Sequence, residues 1–110
     1  IYFSGGDIGI SVLSKEGRHL YHPNTGGVLR MLPDGSDLQI FATGLRNVQE
    51  LAFDAHGNLF SVDNDGDVRG ERERLVYIAE GSDAGWLLNW QLRTKGWAPY
   101  TGVHIYSPWM

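Results

Sequence analysis

Residues 28–42 read VLRMLPDGSDLQIFA, and this stretch decides the fold class. Two mostly apolar runs, at 28–32 and 38–42, flank the turn-like segment Pro-Asp-Gly-Ser at 33–36. Proline early and glycine late in such a segment are typical of a β-turn. The stretch therefore predicts a β-hairpin, with two short strands joined by a tight turn.

Similar signals continue along the chain. Strand-like runs at 50–54 and 59–63 flank the turn sequence Ala-His-Gly-Asn at 55–58, and another strand-like run lies at 74–79. No segment carries a helical stripe, since Gly44 interrupts the scattered apolar residues of 38–51. The pattern predicts an all-β fold built from short strands.

The turn motif of the first hairpin recurs. Asp-Gly-Ser-Asp at 34–37 returns 46 residues later as Glu-Gly-Ser-Asp at 80–83, and each copy follows a strand. The strand at 1–4 with Asp7 also resembles the strand at 59–62 with Asp63. Four short strands that repeat every 40–50 residues or so indicate the blades of a β-propeller. A chance repeat of hairpins is the alternative.

The repeat divides the chain into about two four-stranded antiparallel blades. Residues 1 to about 45 would end one blade and carry an insertion at 8–27, and residues from about 46 to 110 would form the next blade and a following loop. Because the chain begins inside an apparent strand, both ends are interpreted as cuts. Blades bury their faces against one another, so we expect the isolated segment to oligomerise or aggregate.

Composition excludes several classes of function. The 110 residues include 15 glycines and no cysteine, and the net charge is −4. The acidic balance argues against a general nucleic-acid binder. Without cysteine the segment cannot form disulfides, thiolate metal sites or a covalent haem attachment. No apolar stretch approaches the roughly 20 residues that a membrane span needs.

A first candidate site lies in the sequence Gly-Leu-Arg-Asn-Val-Gln-Glu at 44–50, which joins two strands. Propeller ligands bind at such loop ends. The guanidinium of Arg46 suits planar recognition of a carboxylate or a quinone edge. Asn47 and Gln49 add neutral donors and acceptors. A structural arginine that holds loop carbonyls is the alternative for Arg46.

A second candidate site is the acidic loop after the strand at 59–62. Its candidate metal ligands are Asp63, Asp65, Gly66, Asp67 and Glu71. Such dense oxygen donors suit Ca²⁺. The loop does not fit an EF-hand, because Arg74 stands where the bidentate glutamate should be. Neutralisation of the acids by arginines such as Arg74 is the alternative.

Histidines and aromatic residues give weaker signals. His19 and His22 lie three residues apart without an obvious third ligand, which is poor support for zinc. The C-terminal aromatic residues would either stack on sugars or pack the core and the contact between blades, and packing is the more common role. These residues are Trp86, Trp90, Trp97, Tyr100, Tyr106 and Trp109.

Three motifs in order carry a family resemblance. They are Gly-Leu-Arg-Asn-Val-Gln-Glu-Leu-Ala-Phe-Asp at 44–54, Gly-Asn-Leu-Phe at 57–60 and Glu-Gly-Ser-Asp-Ala-Gly-Trp at 80–86. Over residues 1–86 the chain resembles the glucose/sorbosone dehydrogenase-like six-bladed propellers, which include soluble enzymes that use pyrroloquinoline quinone (PQQ). Within that group it most resembles large exported bacterial proteins described as membrane-bound dehydrogenases. Those often add a c-type haem domain.

The resemblance implies roles for individual residues. Arg46 matches the family arginine that contacts the quinone, and Asp7 matches an aspartate of the same pocket. Asn64 falls near a glutamine that contacts the cofactor. The family's catalytic histidine would precede Ile1, so the resemblance implies no catalytic residue within this segment.

The resemblance also implies calcium. Backbone carbonyls at Asp65 and Gly66 would match those that bind the calcium beside the quinone, and Glu71 would match a ligand of a second, structural calcium. Two positions depart from the family pattern. Val48 replaces a proline in Arg-Asn-Pro-Gln, and Gly66 replaces another proline.

The function implied by the resemblance is calcium-assisted, PQQ-dependent oxidation of a sugar or alcohol. Electrons would leave to a c-type haem, and the location would be periplasmic or extracellular. The isolated segment would be inactive. Because propellers host many functions, the alternative is a non-catalytic propeller that binds carbohydrate or protein partners.

Overall fold

A computed structural model describes residues 1–64 and 72–88. Within these ranges the chain forms short strands joined by turns and contains no helix, which confirms the all-β prediction. The strands are β1 (Tyr2–Gly5), β2 (Gly9–Leu13), β3 (His19–Pro23), β4 (Gly26–Arg30), β5 (Gln39–Leu45), β6 (Leu51–Phe53), β7 (Leu59–Asp63) and β8 (Arg74–Ile78). Accordingly, no helix in the described part of the chain is long and apolar enough to cross a membrane.

The first sheet has the order β1-β4-β5, and all its strand pairs are antiparallel. Its centre is the predicted hairpin, because β4 and β5 pair across the turn at 33–36. In that turn, Gly35 has a φ of 83° and its N–H donates to the Leu32 carbonyl. The Asp34 carboxylate accepts from the N–H of Ser36, which fixes the turn further.

The predicted insertion at 8–27 contains a hairpin of its own. Strands β2 and β3 pair antiparallel from Gly9↔Pro23 to Leu13↔His19 and form a separate two-stranded sheet. The buried side of this hairpin carries Ile10, which packs in a small apolar cluster with Leu29 and Leu38. The hairpin therefore rests on the first sheet through apolar contacts.

The second sheet has the order β6-β7-β8, again antiparallel. Burial alternates along β7 and β8, as expected for strands whose two faces meet different surroundings. Leu59, Val76 and Ile78 point to the main core, where they meet Val28 and Leu45 of the first sheet. The two sheets therefore share one hydrophobic core.

A return of the chain along β5 ties the sheets together. After β8, residues 81–86 run parallel to the end of β5, with a bridge between Thr43 and Asp83. The N–H of Thr43 donates to the Ser82 carbonyl, and the N–H of Trp86 donates to the Gly44 carbonyl. The second copy of the repeated motif, at 80–83, thus pairs with β5, which is the strand that follows the first copy at 34–37.

This close approach depends on Gly44, whose φ is 76°. A Cβ at Gly44 would collide with the Asp83 side chain and with the backbone nitrogens of Ala84 and Gly85. Gly35 also has a positive φ, but a Cβ there would meet nothing within 4 Å. A side chain at Gly35 would therefore carry only the cost of the backbone conformation. A side chain at Gly44 would carry that cost and the cost of a collision as well.

We expect Gly44→Ala to destabilise the chain more than Gly35→Ala does. Both changes carry the left-handed penalty of roughly 1–2 kcal/mol, and only Gly44→Ala adds a steric cost of about 1–3 kcal/mol. The shift of the urea unfolding midpoint measures the difference. Equal shifts would show that residues 81–86 do not pack on β5 as described.

Candidate functional site

The candidate site lies where several strand ends meet. Strand β7 ends at Asp63 and β8 begins at Arg74, and these two residues are direct partners in the ladder. Strand β5 ends close by, and the loop with Arg46 starts there. The second sheet and the end of the first therefore bring polar side chains to one edge of the shared core.

At the centre of this edge is a buried ion pair. The Arg74 Nη2 atom lies 2.9 Å from Asp63 Oδ2, and the two side chains are 7 % and 0 % exposed. Arg74 also donates to the carbonyls of Gly44, at 3.1 Å, and Ala84, at 2.9 Å. One guanidinium therefore joins β7, β5 and the returning segment 81–86.

The environment of Arg74 affects its titration. Burial lowers the pKa of the Arg74 guanidinium, and the hydrogen bond and negative charge of Asp63 oppose that shift, with a smaller contribution from Asp83. Arginine stays protonated in proteins across the usual pH range. The buried charge of Arg74 therefore depends on Asp63 for compensation.

Asp63 also holds the loop that carries the predicted cofactor residues. Its Oδ1 atom accepts from the backbone N–H groups of Arg46 and Asn47, both at 2.9 Å. These bonds use backbone atoms, so they set the path of the loop without occupying its side chains. Both carboxylate oxygens of Asp63 are therefore engaged by nitrogen donors.

The Arg46 side chain points to a group of polar residues from distant parts of the chain. Its Nε atom lies 4.0 Å from Asp7 Oδ2, with both side chains less than one-fifth exposed. The indole Nε1 of Trp86 donates to the same Asp7 oxygen at 3.0 Å. Asp7 thus links the loop after β1 to the loop after β5 and to the returning segment.

Asn64 completes this group, which we call the polar cluster: Asp7, Arg46, Asn47, Asn64 and Trp86. With its amide oriented to satisfy its neighbours, Asn64 donates to the Asn47 carbonyl at 2.5 Å and accepts from Arg46 Nη1 at 3.3 Å. Both flanks of the guanidinium are therefore held, by Asp7 on one side and by Asn64 on the other. Such support pre-orients a planar cation.

The predicted cofactor residues mostly come together. Asp7, Arg46, Asn47 and Asn64 meet in the polar cluster. Gln49 lines an open groove of about 430 Å³ on the second sheet. Asn64 lines that groove as well, so it connects the two places.

The calcium prediction concerns residues that are mostly not described. Asp65, Gly66, Asp67 and Glu71 lie outside the described ranges. Asp63 is described, and a metal there would have to replace the nitrogen donors that now occupy its oxygens. For this residue, neutralisation by Arg74 is the alternative that the geometry supports.

Other potential metal ligands do not group in residues 1–64 and 72–88, where no set of three or more His, Asp or Glu side chains could hold an ion. His19 instead shares a hydrogen bond of 3.0 Å with Ser11 on the exposed side of the inserted hairpin. His22 lies on the other side of strand β3 from His19, as strand alternation requires.

Sequence reasoning offered Arg74 only as an alternative partner for the acids, and it missed the bond from Trp86 to Asp7. A signal for Arg74 exists, since strand alternation places Asp63 in phase with Leu59 and Arg74 in phase with Val76. Charged residues in phase with buried apolar ones predict a buried pair. Trp86 has no such local signal, because its partner Asp7 lies 79 residues away.

Comparison of the chain with protein-family models, with curated proteins and with solved structures gives no match. A functional interpretation therefore depends on the polar cluster, the groove and the order of the motifs in this sequence.

We expect Asp63→Asn to destabilise the chain strongly. The change removes the charge that compensates the buried Arg74, and breaking one partner of a buried pair typically costs about 3–5 kcal/mol. Urea unfolding, followed by tryptophan fluorescence, measures the loss.

Glu80→Gln is the matched control for this experiment. It breaks the Arg30–Glu80 ion pair, in which the glutamate side chain is 64 % exposed, so little stability should be lost. Similar losses for the two variants would contradict the role assigned to the buried pair.

Proposed function

We propose that this chain forms part of a six-bladed β-propeller of the quinoprotein sugar or alcohol dehydrogenase type, and that the polar cluster binds the quinone cofactor PQQ. The observation that carries the proposal is the arginine Arg46, held in orientation between Asp7 and Asn64. All three are residues that the family resemblance assigns to the cofactor pocket. They come from three separate loops.

The chemistry of these residues suits the cofactor. PQQ carries carboxylates and adjacent quinone carbonyls, which are oxygen acceptors in one plane. A guanidinium presents several N–H donors in one plane and recognises such oxygens well. Asn47 and Asn64 add amide groups that both donate and accept. The described residues therefore fit the quinone.

The described residues give less support for calcium. The carboxylate of Asp63 is engaged by Arg74 and by two backbone N–H groups. Calcium would then rely on oxygen donors from Asp65, Gly66, Asp67 and Glu71, which lie outside the described residues. We propose that calcium strengthens the binding of PQQ, an effect that titration with and without Ca²⁺ measures.

Within the proposed site, the residues of this chain bind and orient the cofactor. When bound, the quinone would accept hydride from the carbon of a sugar or alcohol. Arg46 would bind the cofactor's oxygens and stabilise the negative charge that develops on them. Asp7 and Asn64 would hold Arg46 in place. The proton of the alcohol would go to a base supplied from outside this chain.

One observation favours a second candidate, a propeller that binds a protein or carbohydrate without catalysis. The groove on the second sheet is lined by apolar side chains such as Phe60 and Leu75, together with polar ones that include Gln49. A mostly apolar groove with a few polar groups is typical of a binding surface. This candidate needs no quinone.

Calorimetric titration with PQQ, with and without Ca²⁺, tests the first proposal. The complete protein that contains this chain should bind PQQ, and Arg46→Gln should weaken binding about tenfold or more, because it removes charged hydrogen bonds. The variant should keep its fold, since Arg46 contacts Asp63 through its backbone N–H. Circular dichroism checks this.

Arg30→Gln is the control, because Arg30 bonds to Gln39 and Glu80, away from the polar cluster. It should leave the affinity for PQQ unchanged. Absence of PQQ binding under both conditions would refute the cofactor assignment and favour the binding propeller. Equal losses of PQQ affinity in Arg46→Gln and Arg30→Gln would refute the role assigned to Arg46, but not the binding of PQQ.

A further inference from the structure

Thr25 carries a buried hydroxyl that lies outside the polar cluster and contacts one of its members. The residue directly precedes β4 and is 2 % exposed. Its Oγ1 atom accepts from the Gly44 N–H at 3.0 Å and donates to the Trp86 carbonyl at 2.8 Å. A longer contact of 3.2 Å leads to the Gly26 carbonyl. Because a hydroxyl has a single proton to donate, we take the shorter bond, to Trp86, as the main one.

The backbone around Trp86 is held in three places. The Trp86 N–H donates to the Gly44 carbonyl at 2.8 Å, and the Trp86 carbonyl accepts from Thr25. Two residues further on, the Leu88 N–H donates to the Asn24 carbonyl at 2.6 Å. Trp86 itself is only 4 % exposed. These bonds and the close packing around the ring fix the position of the indole.

The indole in turn holds the carboxylate of Asp7. Trp86 Nε1 donates to Asp7 Oδ2 at 3.0 Å, whereas Arg46 Nε lies 4.0 Å from the same oxygen. A separation of 4.0 Å exceeds the length of a hydrogen bond, so the attraction between these two atoms is electrostatic only. The orientation of this carboxylate oxygen therefore depends on the indole.

This arrangement bears on what Arg46 does in the proposed site. A carboxylate released from the indole would turn toward the guanidinium, because a close, charged pair with two parallel N–H bonds is the geometry that arginine and aspartate favour. The guanidinium would then direct donors to Asp7 that the proposed function assigns to the cofactor. The bond from Trp86 prevents that rearrangement.

We propose that Thr25 and Trp86 are positioning residues for Arg46. The Thr25 hydroxyl fixes Trp86, the Trp86 indole fixes Asp7, and Asp7 fixes the orientation of the guanidinium; we call these three residues the Thr25–Trp86–Asp7 series. The inference rests on the proposed function, in which Arg46 binds the oxygens of PQQ. Thr25 acts through other residues, since its hydroxyl bonds to backbone groups.

A double-mutant cycle on the complete protein, measured by calorimetric titration with PQQ, tests the series. Thr25→Val keeps the shape of the side chain and removes the hydroxyl, so it should weaken binding about three- to tenfold. Thr25→Ser keeps a hydroxyl and should retain most of the affinity. In the Arg46→Gln background, Thr25→Val should have no further effect. An equal loss in both backgrounds would overturn the proposal, because Thr25 would then act by a route that excludes Arg46.

Trp86→Phe is the second test variant, and it answers the question even if Thr25→Val fails to fold. It keeps the backbone bonds to Gly44 and Thr25 and removes only the indole donor. We expect it to weaken PQQ binding at least as much as Thr25→Val does. Binding as tight as in the unaltered protein would contradict the role assigned to the indole.

Ser14→Ala is the matched control for the loss of a buried hydroxyl. Ser14 is 5 % exposed, and its Oγ accepts from the Arg18 N–H within the tip of the inserted hairpin. The affinity for PQQ should remain unchanged in this variant. A loss as large as that of Thr25→Val would show a general effect of removing buried hydroxyls and would refute a specific role for Thr25.

Hydrogen exchange of the Trp86 indole N–H tests the series without the cofactor. NMR of the complete protein with ¹⁵N-labelled tryptophan identifies this signal as the one that Trp86→Phe lacks. Exchange should be faster in Asp7→Ala, which removes the acceptor, and in Thr25→Val, which releases the backbone of Trp86. Unchanged exchange in both variants would overturn the series. If the unaltered protein does not bind PQQ, the proposed function fails, and the exchange rates still decide whether the hydrogen bonds exist.

Discussion

The Asp63–Arg74 pair is the interaction on which the rest of the structure depends. Asp63 closes β7 and holds the backbone of the loop after β5, while Arg74 opens β8 and holds the carbonyls of Gly44 and Ala84. Two side chains thereby join four segments: β7, β8, the end of β5 with its following loop, and the returning segment 81–86. Buried pairs are weak evidence for stability in general, but they specify geometry where many backbone groups converge on them.

The geometry of the polar cluster depends on the Asp63–Arg74 pair. Arg46 leaves the loop at a point fixed by two backbone bonds to Asp63, so its side chain remains available to Asp7 and Asn64. Trp86 reaches Asp7 because residues 81–86 run beside β5, and that path requires both the close approach at Gly44 and the Arg74 contact with Ala84. The site therefore rests on buried support rather than on surface loops alone.

Local patterns predicted the parts of the fold that local chemistry determines. The turn at 33–36 and the strands beside it follow from short-range preferences, and the structure confirms them. The chemistry of Arg46 made it a candidate, the family resemblance added Asp7 and Asn64, and the three residues meet in space. Long-range bonds were beyond such reasoning, because nothing near Trp86 or Arg74 in the sequence indicates a partner 79 or 30 residues away.

The acidic loop shows how composition and strand phase give different predictions for the same residue. Counted by composition, Asp63 is the first of several clustered acids and suits a metal. Counted by strand phase, it follows Leu59 and Ser61 on the buried side of β7, where a carboxylate needs a cationic partner. The ladder supplies that partner directly opposite, in Arg74. Phase is the stronger argument at a strand end, because alternation fixes which side of the sheet a side chain occupies before any ligand is considered.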